Sequence, residues 1–346
     1  MSYEFKIVNP IEYPGWNELI SVFPDATVFH TSNWAKVLAE SYSYRPRYFC
    51  SFNGQELTGA IPVMEVNSFL TGKRGVSLPF SDFCEPLVSE GVCYHELFEK
   101  AVEYGKSVGW KYLELRGGEK YRGTDEVFGD YATHSLELYR DNERQFQGFR
   151  NSTRRNVRKA LKEGVKTEIS SSQEAVKGFY RLNCMTRREH GLPPQPFSFF
   201  EKVYEHIISR GLGIILLAAI GSKTISGAVY FHFGNNVLYK YGASNRAYQH
   251  VRANNLVMGE AIRWYGKRGF NAFDFGRTDL WNEGLLQFKA GWGVAEGIQK
   301  YYRFDIKSES FVKGIQGKSH SFYGIFKKMP VPLLNLIGSV SYRHVG

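Results

Sequence analysis

The polar side chains best suited to chemistry are concentrated in one stretch, GFNAFDFGRTDLWNEGLLQFKAGWG, residues 269–293. Ala272–Phe275 is predicted to be a buried strand that runs into a loop rich in ligand-binding groups. Those groups are Arg277, Thr278, Asp279, Trp281, Asn282 and Glu283. Open α/β sheets bind ligands at the carboxyl ends of their strands. The stretch is therefore a candidate site, although a strand, a surface turn and a second strand would also explain it.

A single cation, Lys289, follows this loop and stands among the apolar residues Phe288, Ala290 and Trp292. A charge interacts more strongly in low-dielectric surroundings than in water. We therefore predict that Lys289 stabilises negative charge that develops during a reaction. The alternative is a lysine that points outward from an edge strand and has no role.

Length and charge limit the possible classes of protein. A chain of 346 residues is long enough for two domains, and its net charge of +10 indicates an anionic partner: a nucleic acid, a phosphorylated substrate or a membrane surface. The four cysteines form no CxxC pair and have no histidine cluster beside them. We expect reduced thiols in a cytoplasmic protein that needs neither a metal nor another cofactor. The longest apolar run, residues 214–220, is far shorter than the ~20 residues that span a bilayer.

An internal repeat predicts the domain organisation. FEKAVEYGKSVGWKYLELR (98–116) and MGEAIRWYGKRGFNAFDFG (258–276) align without a gap, and a similar strand precedes each, at 54–64 and 222–232. The order strand, helix, glycine-aromatic and strand therefore occurs twice, which indicates duplication. We predict two similar α/β domains, residues 1–140 and 141–305. Each is an antiparallel meander with helices that ends in a βαβ step.

Several motifs, spread over residues 30–305, carry a family resemblance: HTSNWAKVL, RRNVRKALKEGV, MTRREHGL, FDFGR and FKAGWG. In this order they resemble the Fem-type (FemAB) aminoacyltransferases of peptidoglycan bridge formation, although MTRREHGL has one extra residue, His190. The resemblance implies two tandem GNAT-like domains, each a mixed, mostly antiparallel sheet flanked by helices. It also implies transfer of an aminoacyl or other acyl group to an amine on a nucleotide- or lipid-linked precursor.

Three residues are candidates for this chemistry. The resemblance implies a functional lysine at Lys289, which would stabilise the oxyanion formed when an amine attacks a carbonyl. Asp82, in the loop LPFSDFCEPL, is our candidate for accepting or orienting the amine proton, although it could simply cap a turn. Tyr241 could line the site with its hydroxyl, or it could be an ordinary half-buried strand tyrosine.

The acceptor is expected to carry phosphate. Lys36 and Arg188 are similar to the family's phosphate contacts, and Trp34, on the same helix as Lys36, is included among the substrate contacts. Arg277 is a further candidate because it leaves a strand at its carboxyl end. Arginine can bind a phosphate through two parallel hydrogen bonds, whereas lysine acts as a point charge. An exposed cation without a role is the alternative for Lys36.

A basic helix opens the second domain. Four of its cations share one face at spacing i, i+3, i+4 and i+7: Arg155, Arg158, Lys159 and Lys162. This face is predicted to follow a tRNA backbone without reading its sequence, or else to be merely solvated. Its packing side is assigned to Val157, Ala160 and Leu161.

The donor is predicted from a missing motif. GNAT enzymes that use acyl-CoA usually carry a glycine-rich pyrophosphate loop before a helix, whereas this chain has HVRANNLVMG, in which Gly259 falls inside the helix. The missing loop argues against an ordinary acetyl-CoA donor, and the family resemblance implies aminoacyl-tRNA as donor. One alternative is another acyl donor that acts on an amino sugar or surface polysaccharide precursor. The other is a catalytically silent binder of nucleic acid or anionic glycan.

The tail, residues 306–346, is basic and apolar. Its apolar residues are Phe322, Ile325, Phe326, Val331, Leu333, Leu334, Leu336 and Ile337, with Lys327 and Lys328 between them. The resemblance implies that the tail packs back on the first domain. The alternative is a peripheral membrane contact beside a lipid-linked acceptor.

Overall fold

The computed structural model describes residues 3–314 and 323–346 and divides the chain into two compact units. Unit 1 comprises Met1–Tyr131, Ile298–Gly317 and Ser341–Gly346, and unit 2 comprises Ala132–Gly297 and Lys318–Val340. Phe322, one of the apolar tail residues, lies outside the described residues. In the described part of the chain, no helix is both long and apolar enough to cross a membrane.

Up to residue 137 the elements are β1 (Glu4–Val8), α1 (Trp16–Ile20), α2 (Ser32–Tyr42), β2 (Arg45–Pro46), β3 (Tyr48–Asn53), β4 (Glu56–Ile61), β5 (Met64–Ser68), β6 (Gly72–Val76), β7 (Leu87–Val88), α3 (Tyr94–Val108), β8 (Tyr112–Leu115) and β9 (Gly129–Glu137). From residue 138 they are α4 (Asn142–Gln147), α5 (Asn151–Lys162), β10 (Lys166–Ser170), α6 (Gln173–Glu189), α7 (Phe197–His206), β11 (Gly213–Ile220), β12 (Lys223–Phe233), β13 (Asn236–Ser244), α8 (Ala253–Lys267), β14 (Ala272–Asp274), β15 (Thr278–Asp279), α9 (Glu283–Ala290), β16 (Ala295–Asp305), β17 (Ser310–Phe311), α10 (Tyr323–Lys328) and α11 (Val331–Val345).

Unit 1 contains two groups of paired strands. Strands β1, β3, β4 and β7 pair in that order, and all of these pairs are antiparallel. Strands β2, β5 and β6 also pair antiparallel, whereas β6 pairs with β8 in parallel across the connection that contains α3. The core between α3 and the strands centres on Trp110, whose Nε1 donates to Glu65 Oε2 at 2.9 Å.

In unit 2 the strand order is β10, β11, β12, β13, β14, β9. Every neighbouring pair is antiparallel except β13 and β14, which are parallel and are connected by α8. Residues of α5 and α8 pack with Trp292 and the sheet in one hydrophobic core. Both units therefore contain mixed, mostly antiparallel sheets flanked by helices, which confirms the predicted fold class.

The internal repeat appears in the structure as a shared βαβ step. Helix α3 before β8 and helix α8 before β14 end in the same way, each at a glycine with positive φ, Gly109 at 76° and Gly269 at 81°. The amide of Trp110 donates to Gly105 O at 2.8 Å, and the amide of Phe270 donates to Tyr265 O at 3.3 Å. Left-handed glycines that follow such bonds are typical helix ends.

Two segments differ from the prediction. The apolar segment that carries Lys289, which could also have been a second strand, forms helix α9, because Asn282 caps it by accepting from the Leu285 amide at 3.3 Å. Segment 71–90, whose glycine, proline and serine content predicts irregular structure, includes strand β6, whose backbone groups pair with β5 and β8. The cap of α9 is local, whereas the pairing of β6 with β8 depends on a strand that local composition does not reveal.

Two glycines of helix α8 are expected to respond in opposite directions to alanine. Alanine favours a helix over glycine by about 1 kcal/mol, and a Cβ at Gly259 would make ordinary contacts with Val157 and Trp292 at 3.5 and 3.7 Å. A Cβ at Gly266 would lie 2.5 Å from the Tyr139 carbonyl oxygen. We expect Gly259→Ala to raise the free energy of unfolding by up to about 1 kcal/mol and Gly266→Ala to lower it by about 1–3 kcal/mol. Urea unfolding measures both, and shifts in the same direction would contradict this packing.

Candidate functional site

Lys289 lies on α9 with its side chain turned into the protein. The residue is 2% exposed, and its Nζ donates to the carbonyl oxygens of Gly276 at 2.7 Å and Arg277 at 3.3 Å. A buried ammonium is tolerated only where hydrogen bonds replace its water. The turn after β14 provides them, so the predicted strand end and the predicted lysine come together.

His134 lies beside this lysine and was not recognised in the sequence. It is on β9, and its carbonyl oxygen accepts from the Phe275 amide at 3.0 Å, directly before the turn that binds Lys289. Within the described residues, no hydrogen-bond partner reaches the buried His134 Nδ1 or the buried Thr278 Oγ1. Burial, reinforced by the positive charge of Lys289, lowers the pKa of His134 below its usual value. The imidazole is therefore neutral at neutral pH.

A polar cavity of about 580 Å³ lies in unit 2 beside α9. The first turns of two helices border it, those of α5 and α8, and α9 contributes Gly284, Gln287, Phe288 and Gly291. The residues at the two N-caps are Arg150 and Arg252, and neither caps its helix with its side chain. The helix N-terminus carries partial positive charge and unsatisfied N–H groups. No acidic residue is among those that line the cavity. Its electrostatics therefore favour an anion.

Two buried polar side chains line this cavity. Thr153 is 5% exposed and Asn255 is 9% exposed. Buried polar groups are nearly always hydrogen-bonded, so polar side chains of this kind at a cavity can bind a ligand or water. Arg252 also has a φ of 63°, a strained conformation for an arginine. The motif HVRANNLVMG, which lacks the glycine-rich loop that binds CoA, thus still borders a cavity whose electrostatics favour an anion.

The other predicted residues of unit 2 lie on three elements. Arg277 is half-buried in the turn whose backbone binds Lys289. Arg188 is half-buried near the end of α6, and Tyr241 is half-buried on β13, with its ring centroid 5.5 Å from that of Phe200. The roles assigned to these side chains stay predictions.

In unit 1, Lys36 is half-buried on α2, whereas Trp34 is fully buried and its ring packs edge-on against Phe29, with centroids 5.2 Å apart. Asp82 is buried in the loop between β6 and β7, and its backbone carbonyl accepts from the Tyr301 hydroxyl at 2.6 Å. The same loop holds Leu78 and Phe80 at positive φ, which is strained backbone of the kind found at functional sites.

Helix α5 presents its predicted cations to solvent. These four exposed residues are Arg155, Arg158, Lys159 and Lys162. The buried side consists of Thr153, Val157 and Ala160. Leu161, which was assigned to the packing side, is exposed. This assignment was wrong because Leu161 lies next to Lys162 on the solvent side of the helix.

The electrostatic contact between Lys289 and His134 can be measured. Lys289→Met removes the positive charge that lowers the pKa of His134, so we expect this pKa to rise, although burial keeps it below the usual histidine value. NMR titration of histidine-labelled protein reports the change. Lys267→Met, at the exposed end of α8, is the matched control and should leave the His134 titration unchanged. An unchanged His134 titration in Lys289→Met would show that the two groups do not interact.

Part of this chain is similar in sequence to known proteins. Residues 147–290 match the family model described as acetyltransferase (GNAT) domain. A Lipid II:glycine glycyltransferase of Staphylococcus epidermidis is 23% identical, covering 43% of this chain and 51% of that protein. One of Staphylococcus haemolyticus is 22% identical, covering 51% of this chain and 60% of that protein. The chain thus spans between half and three-fifths of the length of these relatives.

Two solved structures share the fold. A crystal structure of FemX superimposes with a TM-score of 0.68 at 16% identity, covering 87% of this chain and 97% of that one. A tandem GNAT protein from the clavulanic acid biosynthesis pathway superimposes with a TM-score of 0.54 at 11% identity, covering 88% and 99%. These matches confirm the predicted tandem GNAT fold and the predicted resemblance. Residues 147–290 thus resemble a GNAT acetyltransferase domain, and the chain is similar to FemX in fold and to Lipid II:glycine glycyltransferases in sequence.

Proposed function

We propose that this chain is an acyltransferase that moves an aminoacyl group to an amine of a cell-envelope precursor. The observation that carries the proposal is the buried ammonium of Lys289, bound at the end of β14 on the same helix that borders the anion-binding cavity. The activity named for the staphylococcal relatives supports it.

In the proposed reaction, the acceptor amine attacks the carbonyl carbon of an acyl ester. A carbon–nitrogen bond forms and the carbonyl oxygen becomes an oxyanion. As the oxyanion collapses, the ester carbon–oxygen bond breaks, and the departing alkoxide takes up one proton to leave a free hydroxyl on the donor. Lys289 stabilises the oxyanion, and because the Gly276 and Arg277 carbonyls already orient its Nζ, little reorganisation is needed. The amine loses a proton, and Asp82 stays our prediction for the group that accepts or orients it. No metal or covalent enzyme intermediate takes part.

Aminoacyl-tRNA is the proposed donor. Helix α5 supports this choice, because its first turn borders the cavity and its exposed face carries four cations, Arg155, Arg158, Lys159 and Lys162. The sugar-phosphate backbone of a tRNA whose aminoacylated end occupies the cavity could continue along this face. A small acyl donor would contact the cavity alone. The cavity itself also fits the second candidate, a small phosphorylated acyl donor used on an amino sugar or polysaccharide precursor.

The proposed acceptor is a nucleotide- or lipid-linked precursor of the cell wall. The staphylococcal relatives are named for transfer to Lipid II, which supports the lipid-linked form. Lys36, Arg188 and Arg277 are the proposed phosphate contacts, and all three are half-buried, as expected for cations that bind a charged group at a protein surface. A lipid-linked acceptor lies in a membrane, so we also propose that the C-terminal tail makes a peripheral membrane contact.

Transfer can be tested directly. We expect mass spectrometry to show the addition of one aminoacyl group when the protein is incubated with charged tRNA and a nucleotide- or lipid-linked amine acceptor. Lys289→Met should lower kcat by about 100-fold or more without a comparable change in donor KM, because the lost interaction forms in the transition state. Lys267→Met should retain wild-type kcat. Absence of transfer by the wild-type protein with every donor and acceptor, while RNA binding persists, would favour the non-catalytic binder.

The identity of the donor can be tested separately with two variants. Arg252→Ala removes a cation at the cavity and should raise KM about tenfold both for aminoacyl-tRNA and for an aminoacylated 3′-terminal trinucleotide. Replacement of the four exposed α5 cations by alanine should raise KM only for the full tRNA. It should also make the affinity for tRNA less dependent on salt. Equal effects of the α5 variant on both donors would contradict the proposed contact between α5 and the tRNA backbone. Transfer from a small acyl donor alone would favour the second candidate.

A further inference from the structure

Helix α11 has an apolar side that is exposed in the structure. Leu333, Leu336 and Val340 lie at spacing i, i+3 and i+7 and are 45%, 61% and 58% exposed. We call these three residues the apolar stripe. The opposite side of the helix is anchored in unit 2: Leu334 is fully buried, and Cys184 Sγ donates to Asn335 Oδ1 at 3.5 Å. These contacts fix the rotation of the helix about its axis, so the fold itself exposes the stripe.

The charged side chains of the segment that carries the stripe are all basic. From residue 310 to residue 346 the sequence has no aspartate or glutamate and five lysines and arginines. Lys327 and Lys328 lie at the end of α10, next to the exposed Ile325. Exposed apolar residues beside lysines, without acidic residues, are typical of helices that lie in the interface of an anionic membrane. An acidic lipid surface is therefore the partner that complements this segment.

The last turn of α11, which belongs to unit 1, also combines apolar and basic residues. Val345 is exposed there, and the ring of His344 packs edge-on against Phe69, with centroids 4.6 Å apart. Phe69 and Leu70 form the tip of the hairpin between β5 and β6, and Phe69 is 84% exposed. Adjacent large apolar side chains at a hairpin tip are costly in water and indicate an interaction site.

We infer that α10 and α11 form a docking surface for a membrane containing anionic phospholipid, with the apolar stripe inserted among the lipid headgroups and Lys327 and Lys328 paired with lipid phosphates. The inference rests on the proposed function in one respect, because a lipid-linked acceptor makes membrane docking useful. The contact is peripheral, since α11 has 15 residues and spanning a bilayer takes ~20.

Sedimentation of the full chain with vesicles tests the surface. We expect binding to vesicles of mixed phosphatidylglycerol and phosphatidylcholine, much weaker binding to phosphatidylcholine alone, and loss of binding as salt is raised. The variant Leu333→Gln, Leu336→Gln, Val340→Gln should bind anionic vesicles about tenfold or more weakly, and so should Lys327→Glu, Lys328→Glu. Val22→Gln, an exposed apolar residue of unit 1, is the matched control and should bind like wild type. Thermal unfolding confirms that each variant is folded.

Transfer assays keep the two proposals distinguishable. The stripe variant should retain wild-type transfer to a water-soluble acceptor and lose rate only with a lipid-linked acceptor in vesicles. Docking without any transfer would overturn the proposed function and support the membrane surface. Wild-type protein that ignores anionic vesicles, or a stripe variant that binds them normally, would overturn the surface. A dimer that the stripe variant abolishes, without vesicle binding by wild type, would show instead that the stripe joins two copies of the chain.

Discussion

The hydrogen bond from Lys289 Nζ to the carbonyl oxygen of Gly276 is the interaction on which the candidate site depends. A lysine ammonium that is almost fully buried keeps its charge only if backbone or side-chain oxygens replace its hydration. The carbonyls face it because Gly276 adopts a φ of 67° and its amide is bound by Asp274 Oδ1 at 2.6 Å. Strand β14 in turn is held between β13 and β9, so sheet, turn and helix α9 together set the position of one charge.

The duplicated βαβ step has different consequences in the two units. In unit 2 the last strand of the step leads into the turn that binds Lys289. In unit 1 the corresponding strand, β8, is followed by Arg116, whose guanidinium has a structural role: it donates to Glu114 and to the carbonyl oxygens of Leu78 and Ser81. Burial acts to raise the pKa of Glu114, but Arg116 and Arg303 hold it below its usual value. The residues after the last strand of the step thus hold the strained loop around Leu78 and Phe80 in unit 1, whereas in unit 2 they bind Lys289.

Features encoded by neighbouring residues could be predicted from the sequence. The cap of α2 is an example: Thr31 directly precedes the helix and accepts from the Trp34 amide at 3.2 Å. The cavity could not be predicted, because it needs the first turns of α5 and α8, about one hundred residues apart, to face each other. His134 was missed for a similar reason: a lone histidine in an alternating strand gains meaning only from Lys289, which tertiary packing brings beside it.

The positive charge of the chain is divided among places with different physical environments. The cations of α5 and of the C-terminal segment lie on the surface, where salt screens interactions beyond about 8–10 Å. Lys289 is buried, and solution ions reach its surroundings far less. Salt should therefore weaken contacts with a polyanionic donor or a lipid surface while leaving the stabilisation of an oxyanion nearly intact. Binding and chemistry respond to different electrostatic conditions because the fold places their charges at different depths.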